Sequence, residues 1–318
     1  MNDDKPILLS GIKPTGTPHI GNYFGAIKQW VEFQTLGSHQ CYFMIADYHA
    51  LNFVQNAGDM RDLTRELVLT YLAAGLNPEK VVLFKQSDVP AHTELAWIFD
   101  TITTVPYLMR AHAFKDGEAK NKEVSVGTFN YPMLMAADIL LYDTARVPVG
   151  QDQKQHIEYA RDTAEKFNRI YGEIFTLPEE FIVPEVAVVP GIDGQKMSKS
   201  YNNTIPLFAS RDELAERVMS IVTDSSGERP ENVYAIHALV KSERELAPLY
   251  EEHKGKYKAL KEALIEDLDA FLAPMRERYH ALAGDARAVA DALEHGGQLA
   301  RERANAKMEE VRRAVGVA

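Results

Sequence analysis

Two stretches of this 318-residue chain carry residue types whose spacing suits phosphate chemistry. The first is Lys196-Met197-Ser198-Lys199-Ser200, preceded by Gly191 and Gly194. Two lysines three residues apart on a glycine-flanked loop make a mobile cationic clamp. From Lys196 to Arg211 there are three basic residues and no acid. A triphosphate attacked at its α-phosphate throws charge onto the leaving pyrophosphate, and positioned lysines stabilise that charge. A solvated basic loop is the plainer account, but five specified residues after a Gly-Gln turn are far more specific than a lone glycine pattern. The second stretch is Ser10-Gly11-Ile12-Lys13-Pro14-Thr15-Gly16-Thr17-Pro18-His19-Ile20-Gly21-Asn22. Its glycines and prolines shape a loop that feeds a helix. Gly21 has no side chain, so a flat base can lie against the backbone. His19, Asn22 and the helix N-terminus offer donors to phosphates. From these residues alone an ordinary strand-to-helix turn with a polar cap reads equally well.

A third feature is a lone carboxylate. Tyr131, Met135, Asp138, Ile139 and Tyr142 share one face of a predicted helix. Asp138 is the only charge on that apolar and aromatic stripe. A buried carboxylate is costly without a donor. A structural pair with a local cation such as Arg146 is the simpler source; a ligand N–H is the other. Asp47 and His49 close the second predicted strand, where His49 reads as a pocket-lining residue or as a satisfied core histidine. Gly150-Gln151-Asp152-Gln153 opens a helix after a strand. Asp152 is placed to accept from ribose hydroxyls or to cap that helix.

The elements that must position these groups follow from periodicity. PILLSGI, CYFMIADYH, KVVLFKQS and RVPVG read as strands. Between them NYFGAIKQWVEFQ, MRDLTRELVLTYLAAG, HTELAWIFDTI, YPMLMAADILLY and DQKQHIEYARDTAEKFNRIYG read as helices. Such alternation predicts an α/β fold, a parallel sheet wrapped by helices, with ligands at the carboxyl ends of its strands. After about residue 205 the pattern turns wholly helical, with TDSSGERP, AGDA and HGG as gaps. The expected division is residues 1–205 and 206–318, with the last helix packing back on the first part.

Composition bounds the function. One cysteine, Cys41, excludes a disulfide scaffold and fits a reducing, cytoplasmic setting. A hydrophobic content of 46% excludes a disordered chain. No secretory leader, membrane span or Cys/His cluster with zinc spacing is expected. The net charge of −11 excludes a nonspecific basic clamp on nucleic acid. Basic residues nevertheless cluster at Lys196 to Arg211, at Lys254 to Lys261, and at Arg301, Arg303, Lys307, Arg312 and Arg313. Local patches decide phosphate contact, because screening confines charge effects to roughly 8 Å.

An HIGH-like loop, here His19-Ile20-Gly21-Asn22, followed by KMSKS resembles a class I aminoacyl-tRNA synthetase with its Rossmann-like catalytic domain. The runs Gly127 to Tyr142 and Val147 to His156 look like the bacterial tryptophanyl-tRNA synthetases. The resemblance covers nearly the whole chain. It implies catalytic roles for His19, Asn22, Lys196, Ser198 and Lys199. It implies ATP contacts from Lys13, Pro14, Thr15, His19, Gly21, Asn22, Gly150, Gln151, Asp152, Lys196, Met197, Ser198, Lys199 and Ser200. Tryptophan falls to Leu9, His49, Tyr131, Met135, Asp138, Ile139, Val147, Val149 and Gln153, with Asp138 accepting the indole N–H and Gln153 meeting the ammonium. Phenylalanine and tyrosine cannot donate that bond, so the expected rejection is roughly 10⁴ to 10⁵. ATP is a substrate that carries Mg²⁺; no resident metal or organic cofactor is implied. The partners implied are tRNA(Trp), read by the helical part, and a second copy in a homodimer. Lys13 and Gln151 depart from the usual Gln and Glu, and no one of Lys115, Lys120 or Lys122 is singled out for ATP. A tyrosyl enzyme and a catalytically inactive RNA-binding paralogue are the alternatives.

Overall fold

The computed structural model describes residues 5–112, 114–115, 123–149, 154–182, 189–223 and 229–318. In chain order the elements are β1 (Ile7–Ile12), α1 (Ile20–Asn22), a π turn (Tyr23–Ile27), α2 (Lys28–Leu36), β2 (Gln40–Ile45), α3 (Asp47–Ala50), α4 (Ala57–Ala74), β3 (Val82–Lys85), α5 (Ala91–Ile102), α6 (Val105–Leu108), α7 (Val126–Leu140), β4 (Arg146–Val149), α8 (Lys154–Tyr171) and β5 (Glu179–Ile182). Then come α9 (Arg211–Met219), α10 (Glu231–His237), α11 (Glu243–Glu252), α12 (Tyr257–Ala283) and α13 (Ala286–Val315).

The five described strands form one parallel sheet, ordered β3-β2-β1-β4-β5. Side chains alternate between its faces. Ile7, Leu9, Tyr42, Met44, Val82 and Phe84 enter one core, with α5, α7 and α8. Leu8, Cys41, Phe43, Ile45 and Leu83 enter the other, with α2 and α4. Burial on both faces explains the near-continuous apolar runs of β1 and β2. β1 lies between β2 and β4, so the chain leaves it in opposite directions and opens a crevice at its carboxyl end.

The helices after residue 210 have little core of their own. Leu214, Val218, Val233, Ile236, Leu264, Leu268 and Leu272 pack into the cluster that holds Phe43 and Ile20. Among the described residues Leu246, Tyr250 and Leu260 form a small satellite, with Tyr234 and Leu249 against it.

Three expectations are corrected. The strand CYFMIADYH stops at Ile45, and Asp47 and His49 lie on the short helix α3. Its first amides are claimed by side chains, since Tyr48 N donates to Asp47 Oδ1 (3.1 Å) and Gln86 Oε1 (3.1 Å). β5 was not anticipated, because an edge strand opening on two glutamates carries no apolar alternation. The gap HGG is no gap: α13 runs unbroken through Gly296 and Gly297. A Cβ on Gly296 would land inside the Leu83 backbone carbonyl, so this glycine lets helix and strand touch. Gly296→Ala is expected to destabilise the protein by about 3 kcal/mol or more, because backbone must move to relieve the overlap. A denaturant midpoint equal to that of the parent would refute this account of α13.

Candidate active site

The two phosphate motifs meet at the end of β1. Lys199 Nζ donates to the Gly16 carbonyl at 2.6 Å, across 183 residues of chain. Beside it Ile20 N donates to Ile205 O (3.0 Å) and Leu207 N to Pro18 O (3.1 Å). Gly16 has φ 136°, a conformation side chains resist, and Lys199 lies over its open side. A Cβ on Gly21 would sit 2.8 Å from His19 Nδ1 and 3.4 Å from Met197 Cβ, so the glycine lets the motifs pack together.

His19 is buried, and its Nδ1 finds no partner among the described residues. Burial, and then the Lys199 charge, lower His19 to about 4. The imidazole is therefore neutral at neutral pH, a donor or acceptor rather than a cation. Asn22 Oδ1 accepts from His19 N at 3.1 Å, which leaves its Nδ2 hydrogens uncommitted by that bond. Although the residue is exposed as a whole, protein packed around the ammonium strips part of its water and holds Lys199 below its ordinary range. Such packing does the same to Lys13, whose ammonium sits 4.7 Å above the Phe53 ring.

The KMSKS loop is built around Asn203, a buried residue the motif search passed over. Asn203 Oδ1 accepts from Ser198 N (2.8 Å), and its Nδ2 donates to Asp193 Oδ1 (2.7 Å) and Lys196 O (3.2 Å). Ser198 Oγ accepts from Ser200 N at 3.3 Å. Met197 turns inward and is 5% exposed, so of this predicted ATP contact only the backbone is left to face a nucleotide. Lys196, Lys199 and Ser200 stay at the surface. So do Lys13 and Thr15, while Pro14 is buried.

The second part of the site lies under β1. Leu9, Ile139 and Val147 are buried in the first core, with Met135 partly so. Asp138 is 2% exposed. The expected Arg146 pair is not what holds it. Gln86 Nε2 donates to its Oδ1 at 2.7 Å, and His49 Nε2 meets its Oδ2 at 2.8 Å. His92 Nδ1 stands 2.7 Å from Oδ1, off the line of a hydrogen bond. His92 Nε2 in turn meets the Tyr142 hydroxyl at 2.8 Å. Burial pushes the Asp138 carboxyl up, but the two histidines outweigh it and bring it to about 2. The group is thus an ionised acceptor hydrogen-bonded by Gln86 and His49, with His92 close beside it. Tyr131 has its hydroxyl 3.2 Å from His156 Nε2 and its ring roughly perpendicular to that of His49. Gln86 and His92 were not foreseen. Glutamine and histidine at the ends of short apolar runs give no periodic signal, and only the fold brings them to Asp138.

Asp47 serves the scaffold, accepting from Ser87 N at 2.9 Å and from the Ser87 hydroxyl. Gly150, Gln151, Asp152 and Gln153, with Lys120 and Lys122, lie outside the described residues, as does the side chain of Val149.

Two basic clusters are corrected in part, since Lys254, Lys256 and Lys258 stay exposed. Lys261 is buried, its ammonium donating to Met219 O (2.8 Å) and Ile221 O (2.7 Å), so it closes α9 rather than meeting phosphates. Three cations of α13 are in ion pairs within this chain, Arg312 with Glu94 and Arg303 and Lys307 with Asp143, while Arg301 and Arg313 donate to the backbone carbonyls of Asp88 and Glu309.

The family "tRNA synthetases class I (W and Y)" matches residues 1–292. The tryptophan–tRNA ligase of Fusobacterium nucleatum is 45% identical over 318 residues, 97% of each chain. That of Rhodopirellula baltica is 42% identical, over 98% of this chain and 99% of its own. The tryptophanyl-tRNA synthetase of Campylobacter jejuni, solved with ADP and tryptophan, superposes with a TM-score of 0.90 at 42% identity, over 98% of this chain and 99% of that one. The tyrosyl-tRNA synthetase of Archaeoglobus fulgidus shares the fold, with a TM-score of 0.68 at 18% identity. The chain belongs to the class I tRNA synthetases of the tryptophan and tyrosine family.

Proposed function

We infer that the chain is a tryptophan–tRNA ligase: it activates L-tryptophan with ATP and passes it to the 3′ end of tRNA(Trp). The observation that carries the reading is the joining of the KMSKS loop to the HIGH-like loop through Lys199 and Gly16, beside a pocket with one ionised acceptor, Asp138. Near-full-length identity to tryptophan–tRNA ligases supports tryptophan over tyrosine.

In the first step a tryptophan carboxylate oxygen bonds to the ATP α-phosphorus, and the bond from that phosphorus to the bridging oxygen breaks. Tryptophanyl-adenylate and pyrophosphate result. No side chain needs to be nucleophile or general base; the work is positioning and electrostatic stabilisation. Lys196, Ser198 and Lys199 meet the pyrophosphate, while neutral His19 and the Asn22 amide donate from the other side. Mg²⁺ enters on the ATP phosphates. In the second step the terminal 2′-hydroxyl of tRNA attacks the adenylate carbonyl and releases AMP.

Gly150, Asp152 and Gln153 complete the ribose and ammonium contacts in this reading. Residues 206–318 supply the anticodon contact and a second copy completes a homodimer. With Arg303, Lys307 and Arg312 already in ion pairs, tRNA phosphates are met by other cations. Among the described residues no helix is long and apolar enough to cross a membrane.

The test is ATP–pyrophosphate exchange. Exchange is expected with tryptophan and essentially none with tyrosine. Exchange driven by tyrosine, or by neither amino acid, overturns the reading.

A further inference from the structure

We propose that the last helix is a brace for tryptophan selection: α13 fixes the segments that supply Asp138 with its partners, and Arg301, Arg303, Lys307 and Arg312 are positioning residues for that choice. The proposal rests on the reading of Asp138 as the acceptor for the indole N–H.

Asp138 is contacted by Gln86 and His92, and His92 is held from behind by Tyr142. Helix α13 touches the chain within three residues of each of these. Around Gln86 it grips both sides. Gly296 lies on the Leu83 backbone, a Cβ on Gly297 would sit 3.4 Å from Asp88 Cβ, and Arg301 Nη1 donates to Asp88 O at 3.1 Å. Two residues beyond His92, Glu94 takes both arms of Arg312, at 2.7 and 2.5 Å. Next to Tyr142, Asp143 meets Lys307 Nζ at 2.8 Å and Arg303 Nη2 at 3.4 Å. Asp143 has φ 51°, a left-handed conformation uncommon outside glycine, so that corner needs holding. His49 is reached indirectly, because Gln86 Oε1 also accepts from the amides of Tyr48 and His49.

Between these charged fastenings Ala300, Ala304, Met308 and Val311 bury in the core that holds Leu9, Ile139 and Val147. Small and medium side chains at helical spacing bring α13 close; the cations on its flanks fix where it stops. An ion pair as exposed as Arg312–Glu94 adds little to stability. A two-armed Arg–carboxylate pair fixes direction as well as distance. Direction is what the acceptor needs, since a hydrogen bond weakens steeply as its angle closes. Contacts around Gln86, His92 and Tyr142 thus hold the Asp138 carboxylate to one orientation, from a helix that carries none of the predicted tryptophan or ATP contacts.

The test uses the full-length enzyme in pyrophosphate exchange. Arg312→Glu places two carboxylates together at Glu94. It is expected to raise the tryptophan KM about tenfold and to lower the tryptophan-to-phenylalanine ratio of kcat/KM, with the ATP KM unchanged. The exchanged pair, Glu94→Arg with Arg312→Glu, is expected to restore both. Asp138→Asn is run beside them. If it raises the tryptophan KM while Arg312→Glu, folded by its thermal midpoint, does not, the brace is refuted and the site reading stands. If Asp138→Asn leaves tryptophan selection intact, the site reading itself fails. Parallel rises in both substrate KM values would mark α13 as merely structural and refute the proposal. Should Arg312→Glu not fold, Arg312→Lys, which keeps the charge and loses one arm, is judged by the same split.

Discussion

Lys199→Ala is expected to slow tryptophan-dependent pyrophosphate exchange by about 10² to 10³, with the tryptophan KM changed by less than about twofold. The asymmetry comes from where the charge is needed. Lys199 has three N–H donors, and the Gly16 carbonyl engages one of them at 2.6 Å. The other two are available to phosphate oxygens, whose charge grows as pyrophosphate leaves. In the proposed reading tryptophan binds under β1 among Leu9, Ile139 and Asp138, with which Lys199 has no described contact, so ground-state affinity for the amino acid has no reason to move. A second consequence concerns His19. The Lys199 charge is one of two causes that lower its imidazole, and the smaller, so removing it lets the pKa climb while burial still holds it below the ordinary value. A group lowered in this way is neutral above its folded pKa, so His19 remains neutral through the neutral range in the variant. The loss in the variant therefore reports the missing cation and not a newly charged histidine. Lys199→Arg keeps the charge and recovers part of the rate. Unaltered exchange in Lys199→Ala removes the KMSKS loop from the chemistry.

The sequence is most legible where chemistry and period coincide. β1, β2 and β3 announce themselves as apolar runs, and their ladders are parallel as the alternation implies. The motif glycines also speak plainly once their neighbours are known, because Gly16 and Gly21 each face a residue of the other motif. Legibility fails where one residue type serves two ends. Gly296 and Gly297 read as a break, since glycine in a helix interior costs about 1 kcal/mol relative to alanine. The strand they touch lies more than 200 residues earlier, and nothing local announces it. The cations of α13 failed in the same way. Clustered on a helix they look like a phosphate surface, but their partners Glu94 and Asp143 come from elements met long before. Net charge is the same for any fold, whereas the patches had to be read from pairs.

Asp138→Asn is expected to raise the tryptophan KM roughly 10²-fold, about 3 kcal/mol, with the ATP KM unchanged. The sequence alone argued for a larger role, in which phenylalanine leaves a buried acceptor with no donor. Gln86 and His49 remove that argument, since they bond the carboxylate whatever the substrate. What tryptophan adds is one further N–H on an acceptor already ionised, oriented and dry. Hydrogen bonds to charged groups contribute about 1.5 to 3 kcal/mol, and an underfilled pocket adds about 1 to 3 kcal/mol against smaller side chains. Selection over phenylalanine then rests on both together rather than on an orphaned carboxylate. The two histidines bring the carboxyl to about 2, so it is ionised wherever exchange can be measured. The asparagine variant keeps the shape but turns an N–H₂ toward at least one of the three partners, so Gln86, His49 and His92 must rearrange. The decisive quantity is the ratio of kcat/KM for tryptophan over phenylalanine. If Asp138 reads the indole, the variant loses tryptophan activity while phenylalanine, which never used the bond, loses little, and the ratio collapses. If Asp138 serves only to knit α3, α5 and α7 together, both amino acids suffer alike and the ratio holds.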